Sequence, residues 1–240
     1  MREMKLLIPD NPIKDTWKLL NRADKPLTRL PNHVGIIPDG NRRWAGSNGF
    51  AKEEGYAMGL DPGLALFKLF KEVGIKELTF YGFTTDNTKR PNVQTKAFIN
   101  ACIQAVEILS LEDADLLVVG NTDSELFPKQ LLPFTTRKTI GKGGIKVNFL
   151  VNYGWEWDLG YLKNVNPTQN SNTTNLRSHE ISRMDLIIRW GGMTRLSGFL
   201  PVQSVYSDIY VVNEFWPNFD PEQFFQALQW YQKQDITLGG

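Results

Sequence analysis

Short apolar runs recur along the chain, separated by longer stretches with helical spacing. The runs that read as strands are Val34–Ile37, Glu77–Phe83, Leu116–Val119, Lys146–Val151, Leu186–Arg189 and Ile209–Val212, each bounded by Gly, Pro, Asp or Asn. Before the second strand the pattern turns helical and ends in Leu64-Ala-Leu-Phe-Lys-Leu-Phe-Lys71. Asp61 followed by Pro62 reads there as an N-cap with proline at the first helical position, which predicts a helix that is kinked or split. A second helix is predicted over Asn92–Leu109 and a third over Pro221–Gln234, the latter with Asp220 as N-cap. Strands alternating with helices imply an α/β fold, a single domain with a mainly parallel six-stranded sheet covered on both faces.

Two segments fall outside that scheme. Residues 1–30 form a polar leader with a short amphipathic turn at Trp17–Leu20, and residues 163–182 are rich in Asn, Ser and Thr, the composition of a mobile surface loop. The folded domain is therefore expected over 31–240, with no repeat and no compositional break. A length of 240 residues agrees with one domain, and 41% apolar with 12% aromatic residues is enough for a core, which excludes a disordered chain. Lys plus Arg number 27 against 26 acidic residues, and the net charge of +1 argues against a general nucleic-acid or membrane-surface binder. It does not exclude a local cationic pocket for a small polyanion.

The lone cysteine, Cys102, lies among apolar neighbours in a predicted helix and reads as packed and inert. It rules out a disulfide framework or a Cys-rich metal site. His33 reads as a residue fixing the start of its strand, and His179 lies in the polar loop. The first dozen residues lack a signal-peptide core, and no apolar stretch approaches the roughly 18 residues of a membrane span. The expectation is a soluble protein of the cytoplasm.

In an open α/β sheet, ligands gather at the carboxyl ends of the strands. Three strands here run into polar turns that carry arginine. The first is His33-Val-Gly-Ile-Ile-Pro-Asp39-Gly40-Asn41-Arg42-Arg43-Trp44. Backbone N–H groups of such a turn make an anion-binding concavity, arginines add bidentate phosphate contacts, and an aspartate among them suits a divalent cation bridging to phosphate. The second is Tyr81-Gly-Phe-Thr84-Thr-Asp-Asn87-Thr-Lys-Arg90-Pro, and the third Arg189-Trp-Gly-Gly-Met-Thr-Arg195-Leu-Ser197-Gly. Each alone is accounted for by a plainer reading: a hairpin with solvated arginines, ordinary helix capping, a glycine-rich surface loop. Three such turns at three strand ends favour one shared polyphosphate site. No dinucleotide-binding or Walker-type glycine pattern and no Ser/His/Asp or Cys/His triad can be assembled.

With these segments in this order, and with Val151-Asn-Tyr-Gly, Asp185-Leu-Ile-Ile-Arg-Trp-Gly-Gly, Arg195-Leu-Ser-Gly-Phe-Leu, Tyr206-Ser-Asp-Ile-Tyr and Phe215-Trp-Pro-Asn-Phe, the chain from His33 onward resembles the cis-prenyltransferases, the family of undecaprenyl diphosphate synthase. The resemblance implies a Mg2+-dependent homodimer with two diphosphate pockets beside a hydrophobic tunnel. Its substrates would be dimethylallyl, isopentenyl or geranyl diphosphate. By position it makes Asp39 a catalytic, Mg2+-linked aspartate, with Gly40, Asn41, Arg42, Arg43 and Trp44 around the allylic diphosphate and Arg90 reaching the same pocket. It places Thr84 and Asn87 near the reacting carbons, Arg189, Arg195 and Ser197 in the second pocket, and Asp208 where the family has a metal-binding Glu.

The departures point toward a subgroup. Tyr56 stands for a histidine and Lys52 for an arginine of the first pocket, Trp190 for a Thr, Met193 for a Glu, and Thr237-Leu238-Gly239 for a C-terminal Arg-x-Gly. With Pro38 and Pro201, these resemble the subgroup of cyclolavandulyl and lavandulyl diphosphate synthase type, which makes branched monoterpenes head-to-middle. The expected activity is thus an irregular, short-product prenyl transfer, with a tunnel limited by Leu66, Phe67, Leu69 and Phe70 and by Trp190 beside the second pocket. The competing readings are a short-chain cis-elongating enzyme, a terpene synthase that releases diphosphate, and an inactive scaffold subunit.

Overall fold

A computed structural model describes residues 26–160 and 176–235. Seven strands form one sheet: β1 His33–Ile37, β2 Glu77–Tyr81, β3 Ala114–Val119, β4 Lys138–Ile140, β5 Lys146–Leu150, β6 Leu186–Arg189 and β7 Asp208–Val211, in the order β4-β3-β5-β2-β1-β6-β7. All six expected strands are present and parallel. The seventh, β4, pairs antiparallel with β3 at one edge. The helices are α1 Asn41–Ser47, α2 Leu60–Val73, α3 Asn92–Leu109, α4 Trp155–Leu159 and α5 Pro221–Tyr231.

The inner strands are apolar on both faces because both are covered. One face presents Val34, Ile36, Leu78, Phe80, Val147, Phe149, Leu186 and Ile188 to a core completed by α2, α3 and α5. The other presents Ile37, Leu117, Leu150 and Ile187 to Tyr153, Ile181, Met184, Phe199 and Leu200, which come mainly from irregular chain rather than helices. Part of the segment expected as a mobile surface loop belongs to that cover. Leu176, Ser178 and Ile181 are buried, and Ser178 Oγ donates to Asp158 Oδ2 at 2.6 Å. The rest of the loop, the Trp17–Leu20 turn and Thr237-Leu238-Gly239 lie outside the described residues. The end of the leader is also docked, since Arg29 donates to the backbone carbonyls of Tyr231 and Gln234 at the end of α5.

Helix entry follows local chemistry, with one exception. Asp220 caps α5 as expected, its side chain accepting from the Glu222 N–H at 2.8 Å while Gln223 closes the reciprocal bond. Asp61 is not a cap. A 3-10 turn over Glu54–Gly59 runs directly into α2, so Gly59 precedes the helix and Asp61 and Pro62 lie in its first turn, where proline needs no donor.

Register sets the functional end of the sheet. Ile37 pairs with Arg189 and Ile36 with Phe80, so β1, β2 and β6 finish side by side and their following turns converge.

Candidate active site

Asp39, the second residue after β1, sits at the centre of the converging turns. Its Oδ2 accepts from Arg189 Nη2 at 2.8 Å, its Oδ1 accepts from the Gly40 N–H at 2.6 Å, and Arg43 lies 3.4 Å from Oδ1. Backbone conformation makes this closeness possible. Gly40 has φ 101°, in the left-handed region, and a Cβ there would come within 3.1 Å of Phe215 Cα. Gly191, at φ 85°, would place a Cβ 2.5 Å from the Arg43 guanidinium and 3.2 Å from the Asp39 carbonyl. Only glycine fits either position without strain.

Arg189 is delivered by a buried strand and has a side chain only 5% exposed. Besides Asp39 it donates to the Arg195 carbonyl and, at 3.0 Å, to Ser197 Oγ, which folds the third turn back over the site. Tyr81 pins the same turn by donating from Oη to the Ser197 carbonyl at 2.6 Å. On the far side, Arg42 donates to Gln94 Oε1 at 3.1 Å and Arg90 to Tyr56 Oη at 2.8 Å. Thr84 and Asn87 form a reciprocal capping box, with Asn87 Oδ1 accepting from the Thr84 N–H at 3.1 Å, so the capping account of this turn holds even though both residues line the cleft.

The result is a cleft of about 640 Å³. Asp39, Gly40, Asn41, Arg42, Arg43, Lys52, Tyr56, Thr84, Asn87, Arg90, Arg189, Arg195 and Ser197 all line it. Its six cationic side chains (Arg42, Arg43, Lys52, Arg90, Arg189, Arg195) face two carboxylates, Asp39 and Asp86, and Lys89 already pairs with Asp86 at 2.6 Å. Such an excess of fixed positive charge suits diphosphate. Two polar atoms in the site, Asn41 Oδ1 and Arg189 Nε, are buried without a hydrogen-bond partner. Buried groups of that kind call for a partner, which a bound ligand or an ordered water would supply.

Behind the cleft lies an apolar cavity of about 90 Å³ between the sheet, α2 and α3. Pro38, Asn41, Tyr56, Tyr81, Gly82 and Phe98 line both, so the two spaces adjoin. The wall differs from expectation. Leu66, Phe67, Leu69 and Phe70 are core residues, and α2 meets the cavity through Leu60, Gly63 and Leu64 instead. Helix α3 contributes Phe98, Ala101, Cys102 and Ala105, with the Cys102 thiol pushed up to about 12 by burial, consistent with a packed and inert group.

Three expected site residues stand elsewhere. Trp44 stacks on Phe50 and donates to Asn218 Oδ1 at 2.7 Å, outside the cleft lining. Trp190 does not add bulk to the second pocket: it follows Arg189 on the opposite face, fully buried, bonded to Gln223 Oε1 at 2.8 Å and edge-on to Trp216. Asp208 begins β7 opposite Leu186, whereas Asp39 follows the other end of the sheet, so one chain does not bring the two carboxylates together. Among the described residues no group of three or more His, Cys, Asp or Glu could cage a metal. The donor set at Asp39 nevertheless fits Mg2+, which in phosphate sites takes one or two carboxylates and completes its shell with phosphate oxygens and water.

A cation-lined cleft beside an apolar cavity, at the carboxyl ends of a parallel sheet, is an arrangement that suits diphosphates bearing hydrocarbon tails. The chain belongs to the undecaprenyl diphosphate synthase family of prenyltransferases: the family model described as putative undecaprenyl diphosphate synthase matches residues 37–239. It is 32% identical over 238 residues to an isoprenyl transferase of Streptococcus thermophilus (strain CNRZ 1066), an alignment covering 89% of this chain and 95% of that protein. It is 28% identical over 229 residues to the (2E,6E)-farnesyl-diphosphate-specific ditrans,polycis-undecaprenyl-diphosphate synthase of Vibrio parahaemolyticus serotype O3:K6 (strain RIMD 2210633), covering 88% and 91%. In fold it is similar to lavandulyl diphosphate synthase from Lavandula x intermedia, crystallised with dimethylallyl diphosphate, with a TM-score of 0.74, 22% identity and 88% and 98% of the two chains covered. No helix among the described residues is long and apolar enough to cross a membrane.

Proposed function

We propose that this prenyltransferase condenses short isoprenoid diphosphates in a Mg2+-dependent reaction to an irregular product of about ten to fifteen carbons, because a close-packed wall does not yield to a growing chain. The observation that carries the reading is the contrast between a wide cationic cleft of about 640 Å³ and the narrow apolar cavity of about 90 Å³ behind it. One set of groups, Gly40, Asn41, Arg42, Arg43 and Arg90, holds the diphosphate that leaves. A second set, Arg189, Arg195 and Ser197, holds the diphosphate that stays. Asp39 lies between the sets. When bound there, Mg2+ supplies positive charge to the departing diphosphate. The arginines stabilise the same developing charge, and the apolar wall keeps water from the carbocation. Thr84 and Asn87, polar groups on the cleft wall, would take part in removing the proton released after carbon–carbon bond formation.

Met193 lining the second pocket, in the position where the family carries a Glu, favours a second substrate other than the usual extender. The fold likeness to a lavandulyl diphosphate synthase crystallised with dimethylallyl diphosphate supports the same choice. A cis-elongating enzyme that uses isopentenyl diphosphate is the second reading, favoured by the names of the curated relatives. A homodimer belongs to the proposal as well. Val205, Tyr206 and Ile209 are exposed beside Asp208, an apolar strip suited to a second copy.

The test is incubation with labelled dimethylallyl, isopentenyl, geranyl and farnesyl diphosphates, with and without chelator, followed by mass spectrometry of the dephosphorylated products. Branched or cyclic products from dimethylallyl units, lost on chelation and reduced about a hundredfold or more in a folded Asp39→Ala variant, are expected. A ladder of linear polyprenols beyond about twenty carbons would restore the elongating enzyme, since it would need a wall that gives way. Normal turnover by Asp39→Ala would remove Asp39 from the chemistry.

A further inference from the structure

We propose that Tyr56 is a threshold residue that does two jobs at once, orienting Arg90 for the diphosphate and setting the width of the entrance to the apolar cavity. Tyr56 is 5% exposed and belongs to both linings, cleft and cavity. Its hydroxyl accepts from Arg90 Nη1 at 2.8 Å. Its ring stacks on Phe98 with centroids 4.5 Å apart and planes within 6°, and Phe98 in turn meets Phe83 edge-on at 5.7 Å. Arg90 also lies over the Phe98 ring, 5.6 Å from its centroid. Phenol, guanidinium and benzyl ring therefore form one packed unit at the junction of the two spaces.

The chemistry of the unit follows from its parts. A guanidinium fixed at one nitrogen keeps its remaining donors aimed and loses less freedom when it grips an anion. Burial pushes the Tyr56 hydroxyl above its ordinary pKa, opposed by the charge of Arg90, so the phenol stays neutral and serves as an acceptor for Arg90. The ring, clamped against Phe98, cannot swing aside without breaking an aromatic stack and a charge-assisted hydrogen bond together. The tail of an allylic diphosphate has to pass that ring to enter the cavity, so tail size is selected at the entrance as well as at the cavity end. The selection of tails rests on the proposed function; the orientation of Arg90 does not.

The experiment measures dissociation constants by calorimetry for inorganic pyrophosphate and for the non-ionising S-thiolodiphosphates of dimethyl allyl and geranyl chains, using wild type, Tyr56→Phe and Tyr56→Ala, with thermal melts as a folding check. Tyr56→Phe keeps the ring and is expected to weaken all three ligands alike, by about fivefold, as one hydrogen bond to a charged group is lost. Tyr56→Ala is expected to weaken pyrophosphate similarly but to raise the ratio of geranyl to dimethylallyl affinity by at least about fivefold, the effect of an opened entrance. Pyrophosphate binding unchanged in Tyr56→Phe would overturn the orienting role, and an unchanged tail ratio in a folded Tyr56→Ala protein would overturn the entrance. Turnover of wild type with C5 substrates is read separately. A protein that binds the analogues as described yet forms no prenyl product would refute the proposed function and leave Tyr56's part in binding standing.

Discussion

His33 shows how one buried side chain can hold the sheet end remote from the chemistry. Its Nδ1 lies 3.0 Å from the Ser182 carbonyl, which only a ring N–H can satisfy, and its Nε2 is then free to accept from Thr79 Oγ1 at 2.8 Å. Asn148 donates to Thr79 Oγ1 at 2.9 Å and to Glu77 Oε1 at 2.8 Å, so every donor in the chain finds an acceptor when the imidazole is neutral. Burial lowers the His33 pKa, and the nearby Glu77 carboxylate only partly opposes it. The unfolded chain therefore takes up a proton first as pH falls below about 6.5, and stability drops between that point and the lowered folded value. Wild-type melting temperature is expected to fall from pH 7 to pH 5, and His33→Gln, though less stable throughout, to show a flatter dependence over the same window. Equal slopes would mean that other groups carry the acid sensitivity. The strand-anchoring role of His33 was legible from its place ahead of Val34. Its buried partners Thr79, Asn148 and Glu77 were not, because their polar faces occupy strands that read as apolar runs.

At the scale of elements, the turns that build the cleft were legible because each concentrates glycine, hydroxyl and guanidinium groups within a few residues. The features that carry no local signal were set by packing across the chain. Strand β4 is three residues with two exposed, too short for a periodic signal. The inward face of α2 could not be assigned from spacing alone: an apolar helix in a buried layer offers several plausible stripes, and the one facing the cavity carries a glycine. That glycine is testable. Gly63 lies in the first turns of α2 where an added Cβ would meet nothing within 4 Å. Gly63→Ala is expected to raise stability in urea by about 0.5 kcal/mol through helix propensity. Gly63→Leu should fill part of the cavity beside α2 and reduce the use of geranyl relative to dimethylallyl diphosphate about tenfold. Unchanged chain-length preference in Gly63→Leu would place the tail elsewhere. Trp190 makes the same point from the other side. Sequence placed it next to Arg189, and strand alternation then carried it to the opposite face, where it braces Trp216 in the cavity wall.

For the whole molecule, a net charge of +1 conceals a strongly uneven distribution, with six cations against two carboxylates in one cleft. Raising salt from about 0.1 to about 1 M shortens the screening length from about 10 to about 3 Å, so pyrophosphate affinity is expected to fall roughly tenfold in calorimetric titrations. An affinity indifferent to salt would show that the arginines act through packing rather than charge. The strand order has another consequence, for how the molecule comes into being. Asp39 and Arg189 are 150 residues apart in sequence, and they meet because β6 pairs directly with β1. Closing so long a loop carries an entropic cost, and non-local pairing of this kind slows folding in general. On the proposed function, a diphosphate gripped by both turns would act as a clasp on that joint: by mass action it would raise the stability of the folded chain.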